Sequence, residues 1–175
     1  MIDEVINLMV DCIKSGGKVL TFGVGGNAAN AIHFAAELSG KYEQFDEPLP
    51  CICLSENPAI LTAITNDFGW EHVFERQVRA LAKPGDVIIA FSISSKGEYL
   101  RNAFIEAYHR GCTKVLITGL HQEAPEPGGY QNFSKVDLEF CLNSDNTPWV
   151  QEEQLRIIHQ ICGKVKEELS KCPAR

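Results

Sequence analysis

The sequence has no long hydrophobic run. No stretch approaches the ~18 apolar residues of a membrane-spanning helix, so a helical membrane protein is excluded. Clusters of lysine and arginine are lacking too. The net charge is −7, and an acidic chain without a basic stripe does not suit a phosphate backbone, which removes nucleic acid from the expected partners. There is no C-x-x-C pair. The cysteines Cys12, Cys51, Cys53, Cys112, Cys141, Cys162 and Cys172 are odd in number, and most stand in apolar segments, where a thiol acts as a small hydrophobe. A disulfide framework is therefore not expected, and a reducing cytoplasm is the natural compartment. The opening residues Met1-Ile2-Asp3-Glu4-Val5 carry no basic segment leading into an apolar one, so a secretory signal is not expected. Internal repeats and low-complexity tracts are also missing, which points to one domain over residues 1–175.

What is there is the composition of a folded chain, 45% hydrophobic and 22% charged, long enough for one substantial core. Helical and strand periods alternate along it. Ile2, Val5, Ile6, Met9, Val10 and Ile13 recur at helical spacing, and Gly16-Gly17 can stop that helix. Residues 18–22 read as a strand, 23–27 as a tight turn and 28–39 as a second helix. A strand over 51–54 precedes helical stretches over 58–65 and 71–82, the latter broken by Lys83-Pro84-Gly85-Asp86. The run 87–91 is apolar throughout, as in a strand covered on both faces. The turn 92–97 opens a helix that ends near Arg110-Gly111, and a fourth strand covers 114–119. The polar stretch 121–134 reads as a loop, 136–140 as an edge strand and 149–171 as a long closing helix. Strands joined by connections too long for hairpins predict a doubly wound α/β fold, a parallel sheet with helices on both faces. Ligands of such sheets sit beyond the carboxyl ends of the strands.

Two of those ends carry unusual turns. Gly23-Val24-Gly25-Gly26 opens a helix with almost no side chains in the way, so backbone N–H groups and the helix dipole can face an anion. Ser92, Ser94 and Ser95 put hydroxyls at the matching end of another strand, and hydroxyl and backbone donors together suit a phosphate. Tight-turn glycines and helix-capping serines would look the same. Gly23-x-Gly25-x-x-Ala28 also fits a loose dinucleotide fingerprint, but the strand over 51–54 ends without an acidic residue and Glu56 comes too late.

His33 and Glu37 are four apart on the second helix and share a face. An imidazole and a carboxylate at that spacing can hold a divalent metal, typically zinc; they can equally be a surface pair. Gln151 and His159 are eight apart on the closing helix, about two turns with a rise near 12 Å. One straight helix does not easily give both to one ion, so either the helix start is irregular or two subunits contribute. His159 also stands beside Ile158 and Ile161, as a packed, hydrogen-bonded histidine would.

Read together, the strings Gly23-Val24-Gly25-Gly26, His33-Phe34-Ala35-Ala36-Glu37-Leu38, 61–69 (Leu-Thr-Ala-Ile-Thr-Asn-Asp-Phe-Gly), Pro84-Gly85-Asp86-Val87, Ser92-Ile93-Ser94-Ser95 and Gln151-Glu152 followed by His159 resemble the phosphoheptose isomerase branch of the sugar isomerase (SIS) domain family. The resemblance implies a three-layer, flavodoxin-like α/β/α sandwich around a five-stranded parallel sheet, assembled as a homotetramer with active sites at subunit interfaces. It implies a cytoplasmic aldose–ketose isomerase that converts sedoheptulose 7-phosphate to D-glycero-manno-heptose 7-phosphate for heptose and lipopolysaccharide precursors. It further implies Glu37 as base, His159 as acid, and a zinc ion held by His33, Glu37, Gln151 and His159. Lys41, Asn66 and Asp67 match further substrate-binding positions, and Gly25, Gly26, Asn27, Ser92, Ser94, Ser95 and Gln151 match a cradle for phosphate and substrate. The residue types suit the chemistry, since an enediol route needs a base near carbon, an acid near oxygen and a stabiliser of charge.

The sequence departs from the family pattern at Val24 and Asn27, at Ile93, where a hydroxyl is lost, and at Lys96, which can restore anion affinity. The chain also begins about one helix later than most members. Two other readings stay open: an isomerase of another sugar phosphate, and the non-catalytic SIS relative that binds the replication initiator DnaA. That relative lacks the histidine matching His159.

Overall fold

A computed structural model describes residues 2–43, 47–120 and 136–171. The elements run α1 (Ile2–Lys14), β1 (Val19–Phe22), α2 (Gly26–Ser39), β2 (Cys51–Cys53), α3 (Pro58–Phe68), a 3-10 turn (Trp70–His72), α4 (Glu75–Leu81), β3 (Val87–Phe91), α5 (Glu98–His109), β4 (Thr113–Thr118), β5 (Leu138–Cys141) and α6 (Thr147–Ser170). All strand pairs are parallel, in the order β2-β1-β3-β4-β5. The expected five-stranded parallel sheet is present, with β5 at an edge. The polar stretch 121–134 and Cys172 lie outside the described residues.

Each helix follows from its local chemistry. In α1 the apolar stripe buries Val5, Ile6, Met9 and Val10. The helix ends where Gly16, at φ 82°, donates to the Ile13 carbonyl and Gly17 to that of Cys12, a left-handed stop that favours glycine. Asn57 and Asn146 cap α3 and α6 by accepting from backbone N–H groups in the first turn. One expected element is divided: the stretch 71–82 opens as the 3-10 turn, and α4 begins only at Glu75. The Val73 N–H closes back on Trp70, and this tighter winding carries both Val73 and Phe74 into the core.

Alternation along the strands makes two cores. Val19, Val87, Ile89, Phe91, Val115 and Ile117 face α1, α2 and α6. Leu20, Phe22, Ile88, Ala90 and Leu116 face α4 and α5. The apolar stripes of α1 and α6 are thus spent on the chain's own core. The described thiols other than Cys141 are buried, and burial pushes Cys53 and Cys112 up to about 11.

At the amino edge of the sheet, Asp86 accepts from the Lys18 ammonium at 2.5 Å and from the backbone N–H groups of Lys18 and Lys83. Asp137 holds Lys114 in the same way at 2.8 Å. Because β1 leads into α2 on one face and β3 into α5 on the other, the crevice between these neighbouring strands lies at a topological switch point.

Candidate active site

The β1 turn is shaped by close approaches. A Cβ on Gly23 would overlap the Asn27 backbone, and one on Gly26 would overlap the Gln151 amide. Gly25, at φ 61°, is the N-cap of α2. Asn27 is 6% exposed, and its side-chain oxygen has no partner among the described residues.

In the β3 turn the serines divide. Ser92 is buried and its hydroxyl accepts from the Ser95 N–H at 3.1 Å. The Ser95 hydroxyl bonds Thr118 Oγ1 at 2.9 Å, and Ser95 itself has φ 56°. Ser94 is exposed. Ser92 and Ser95 build the turn, while Ser94 is left exposed. Two family departures are explained by packing, since Ile93 lies against the α1/α2/α6 core and Val24 against the α4/α5 core.

The second part of the site comes from two helices lying side by side in parallel. Gly26 meets Gln151, Asn30 meets Gln154, His33 meets His159 and Gly40 meets Lys166. This register brings His33, Glu37 and His159 together, with ligand atoms all within 4.8 Å of one another. The Nε2 atoms of His33 and His159 are 3.0 Å apart, and His33 Nε2 lies 3.3 Å from Glu37 Oε1. A tetrahedral zinc with bonds near ~2.0 Å sets its ligand atoms ~3.3 Å apart, so two imidazoles and a carboxylate here fit such an ion. Gln151 is not in this group; it sits at Gly26, about two turns back along α6. An open groove of about 800 Å³ runs past His159 between α1 and α6. Tyr42, on its wall, lies with its ring tilted 36° to that of His159, the centroids 6.2 Å apart.

Asn66 and Asp67, at the exposed end of α3, bond to each other at 2.7 Å and are not brought to the cluster. Lys41 follows the last turn of α2 and is exposed. Asn30 and Gln154 escaped the sequence reading. Their signal was present as polar residues inside the buried stripes Ala31-Phe34-Leu38 and Val150-Ile157-Ile161.

The fold is that of an SIS domain, and residues 1–119 match the family model of that name. Phosphoheptose isomerases of Geotalea uraniireducens and Aliarcobacter butzleri are 39% and 38% identical to the chain, covering 96% and 97% of it and 85% and 86% of their own lengths. The solved structure of a phosphoheptose isomerase from Francisella tularensis superposes with a TM-score of 0.82 at 30% identity, covering 95% of this chain and 84% of that one. That from Neisseria gonorrhoeae gives 0.81 at 31%, covering 95% and 85%. The chain belongs to the phosphoheptose isomerase family of SIS-domain enzymes.

Proposed function

We propose that the chain isomerises sedoheptulose 7-phosphate to D-glycero-manno-heptose 7-phosphate, in the cytoplasm, toward heptose and lipopolysaccharide precursors. The observation that carries this reading is the meeting of His33, Glu37 and His159, contributed by helices far apart in the sequence, beside an anion cradle. Relatives named for this activity over most of the chain support the substrate class.

The phosphate is held by the backbone of Gly25 and Gly26, by Asn27 and by the Ser94 hydroxyl, with Ser92 and Ser95 fixing the turn. Gln151, Lys41, Asn66 and Asp67 remain proposed substrate contacts. Glu37 takes the C1 proton of the ketose while His159 gives a proton to O2, which leaves an enediol. Glu37 then returns a proton to C2 as His159 takes the O1 proton, and the aldose forms. Zinc held by His33, Glu37 and His159 would supply a Lewis acid for the charge that develops on these oxygens. Gln151, which sits at Gly26 in this chain, remains the proposed fourth ligand. We further propose a homo-oligomer, a tetramer. Its support is α3, which buries no residue of its own and exposes Ile60 and Phe68, with Trp70 beside them.

Glu37→Gln and His159→Asn should each lower kcat on sedoheptulose 7-phosphate by ~10²–10⁴-fold. Zinc content is measured on each variant, because both side chains are also proposed ligands. Loss of rate with zinc retained supports proton transfer by these groups. Wild-type turnover in both variants would sink the assignment and favour a binding protein.

A further inference from the structure

A buried polar bridge crosses the seam between α2, α6 and the sheet. Gln154 is 0% exposed. Its Oε1 accepts from Asn30 Nδ2 at 3.1 Å, and its Nε2 donates to the carbonyls of Ser92 at 2.8 Å and Ile117 at 3.2 Å. Asn30 Nδ2 also donates to the Gln151 carbonyl at 3.1 Å. Both N–H groups and the oxygen of the Gln154 amide are therefore used. A fully satisfied buried network of this kind fixes geometry.

What the bridge joins gives it meaning. Ser92 begins the serine turn. Asn30 lies between Asn27 and His33 on α2, and Gln154 lies between Gln151 and His159 on α6. The three segments that carry the site meet at this one amide, and none of its bonds goes to His33, Glu37 or His159. An apolar side chain would continue the stripe of Val150, Ile157 and Ile161, so filling the core does not require a glutamine.

We infer that Gln154 is a positioning residue that sets the separation between the anion cradle at Ser92–Ser95 and the His33/Glu37/His159 cluster. A sugar phosphate anchored at the cradle then presents its carbonyl end to the cluster. The inference rests on the site reading given above. Its signature is a split between the parts and the whole: each half of the site keeps its own small ligand, while a substrate spanning both halves is misplaced.

The test compares wild type with Gln154→Leu and Asn30→Ser. The readouts are zinc affinity, inorganic phosphate affinity, melting temperature, and kcat on sedoheptulose 7-phosphate at saturating zinc. Zinc and phosphate affinities should stay within about threefold of wild type while kcat falls ~10–100-fold, since a displacement of ~1 Å can cost ~10²-fold. Asn30→Ser keeps the bonds of Gln154 to Ser92 and Ile117, so its loss should be smaller. It also serves if Gln154→Leu, which takes a donor from the carbonyls of Ser92 and Ile117, does not fold. Turnover within about twofold of wild type in both variants overturns the inference. So does a joint fall of both affinities, kcat and melting temperature, which would mean ordinary loss of structure. A wild type that binds neither zinc nor phosphate overturns the site reading, and the inference with it; that result is seen before any variant is made.

Discussion

At the residue scale, like side chains do unlike work. Ser92, Ser94 and Ser95 look equivalent in the sequence, yet the turn consumes Ser92 and Ser95 and leaves Ser94 facing outward. Ser94→Ala should therefore raise KM ~10-fold or more, the loss of one charge-assisted hydrogen bond of about 1.5–3 kcal/mol, with little change in melting temperature. Ser92→Ala should show the reverse weighting; steady-state kinetics and thermal melts on the pair decide between them. Ile93 teaches the same lesson. As a missing hydroxyl it reads as a weakened anion site, but its side chain packs into the core. Ile93→Thr should then lower the melting temperature and leave KM unimproved. The sequence shows residue types at a strand end; which of them the backbone uses up depends on Thr118 and the following strand, contacts that no local pattern carries. His33, Glu37 and His159 were legible, by helical spacing and by family likeness together. The seat of Gln151 against Gly26 was not, because it depends on the register of two helices far apart in the chain.

At the element scale the strands and most helices could be read from period and punctuation, because apolar runs bounded by glycine, proline or asparagine leave few alternatives. The exception was the stretch 71–82, where burial of Val73 and Phe74 overrode a continuous helical pattern. What pins α4 to α5 was likewise invisible. Glu106 of α5 accepts from Arg110 at 2.9 Å and from Arg79 of α4 at 3.3 Å. Burial pushes its carboxyl up, but Arg110 and Arg79 together outweigh it and hold the group below the usual carboxylate range. A carboxyl depressed in the folded state gives stability that is present above the unfolded value, near ~4.3, and is lost as pH falls through the lower folded value. Glu106→Gln should therefore destabilise by about 1–2 kcal/mol at pH 7, and the difference should close as urea unfolding is repeated at pH values below ~4. A gap that stayed constant with pH would rule out the ion pairs as its source.

At the scale of the whole molecule, the apolar stripes of α1 and α6 are spent on the core, through Val5, Met9, Ile157 and Ile161. A stripe announces burial without naming what buries it. The surface proposed for a second copy is α3, with Ile60 at 40% and Phe68 at 48% exposure. Light scattering should give a mass several times that of one chain, and Ile60→Asp should reduce it; a wild-type monomer at micromolar concentration would reject the assembly. The packing of α1 against α6 also has a consequence in time. Helix α1 leaves the ribosome well before α6, which packs against it. Synthesis proceeds at ~5–20 residues per second, so β1 to β4 emerge seconds before α6, while the apolar faces of α1 and α2 wait uncovered. His159 and Gln154 arrive only with that last helix. A nascent chain halted after β4 thus holds four strands and half a site, with sticky faces that invite chaperones. The proposed site is complete only when translation has delivered α6.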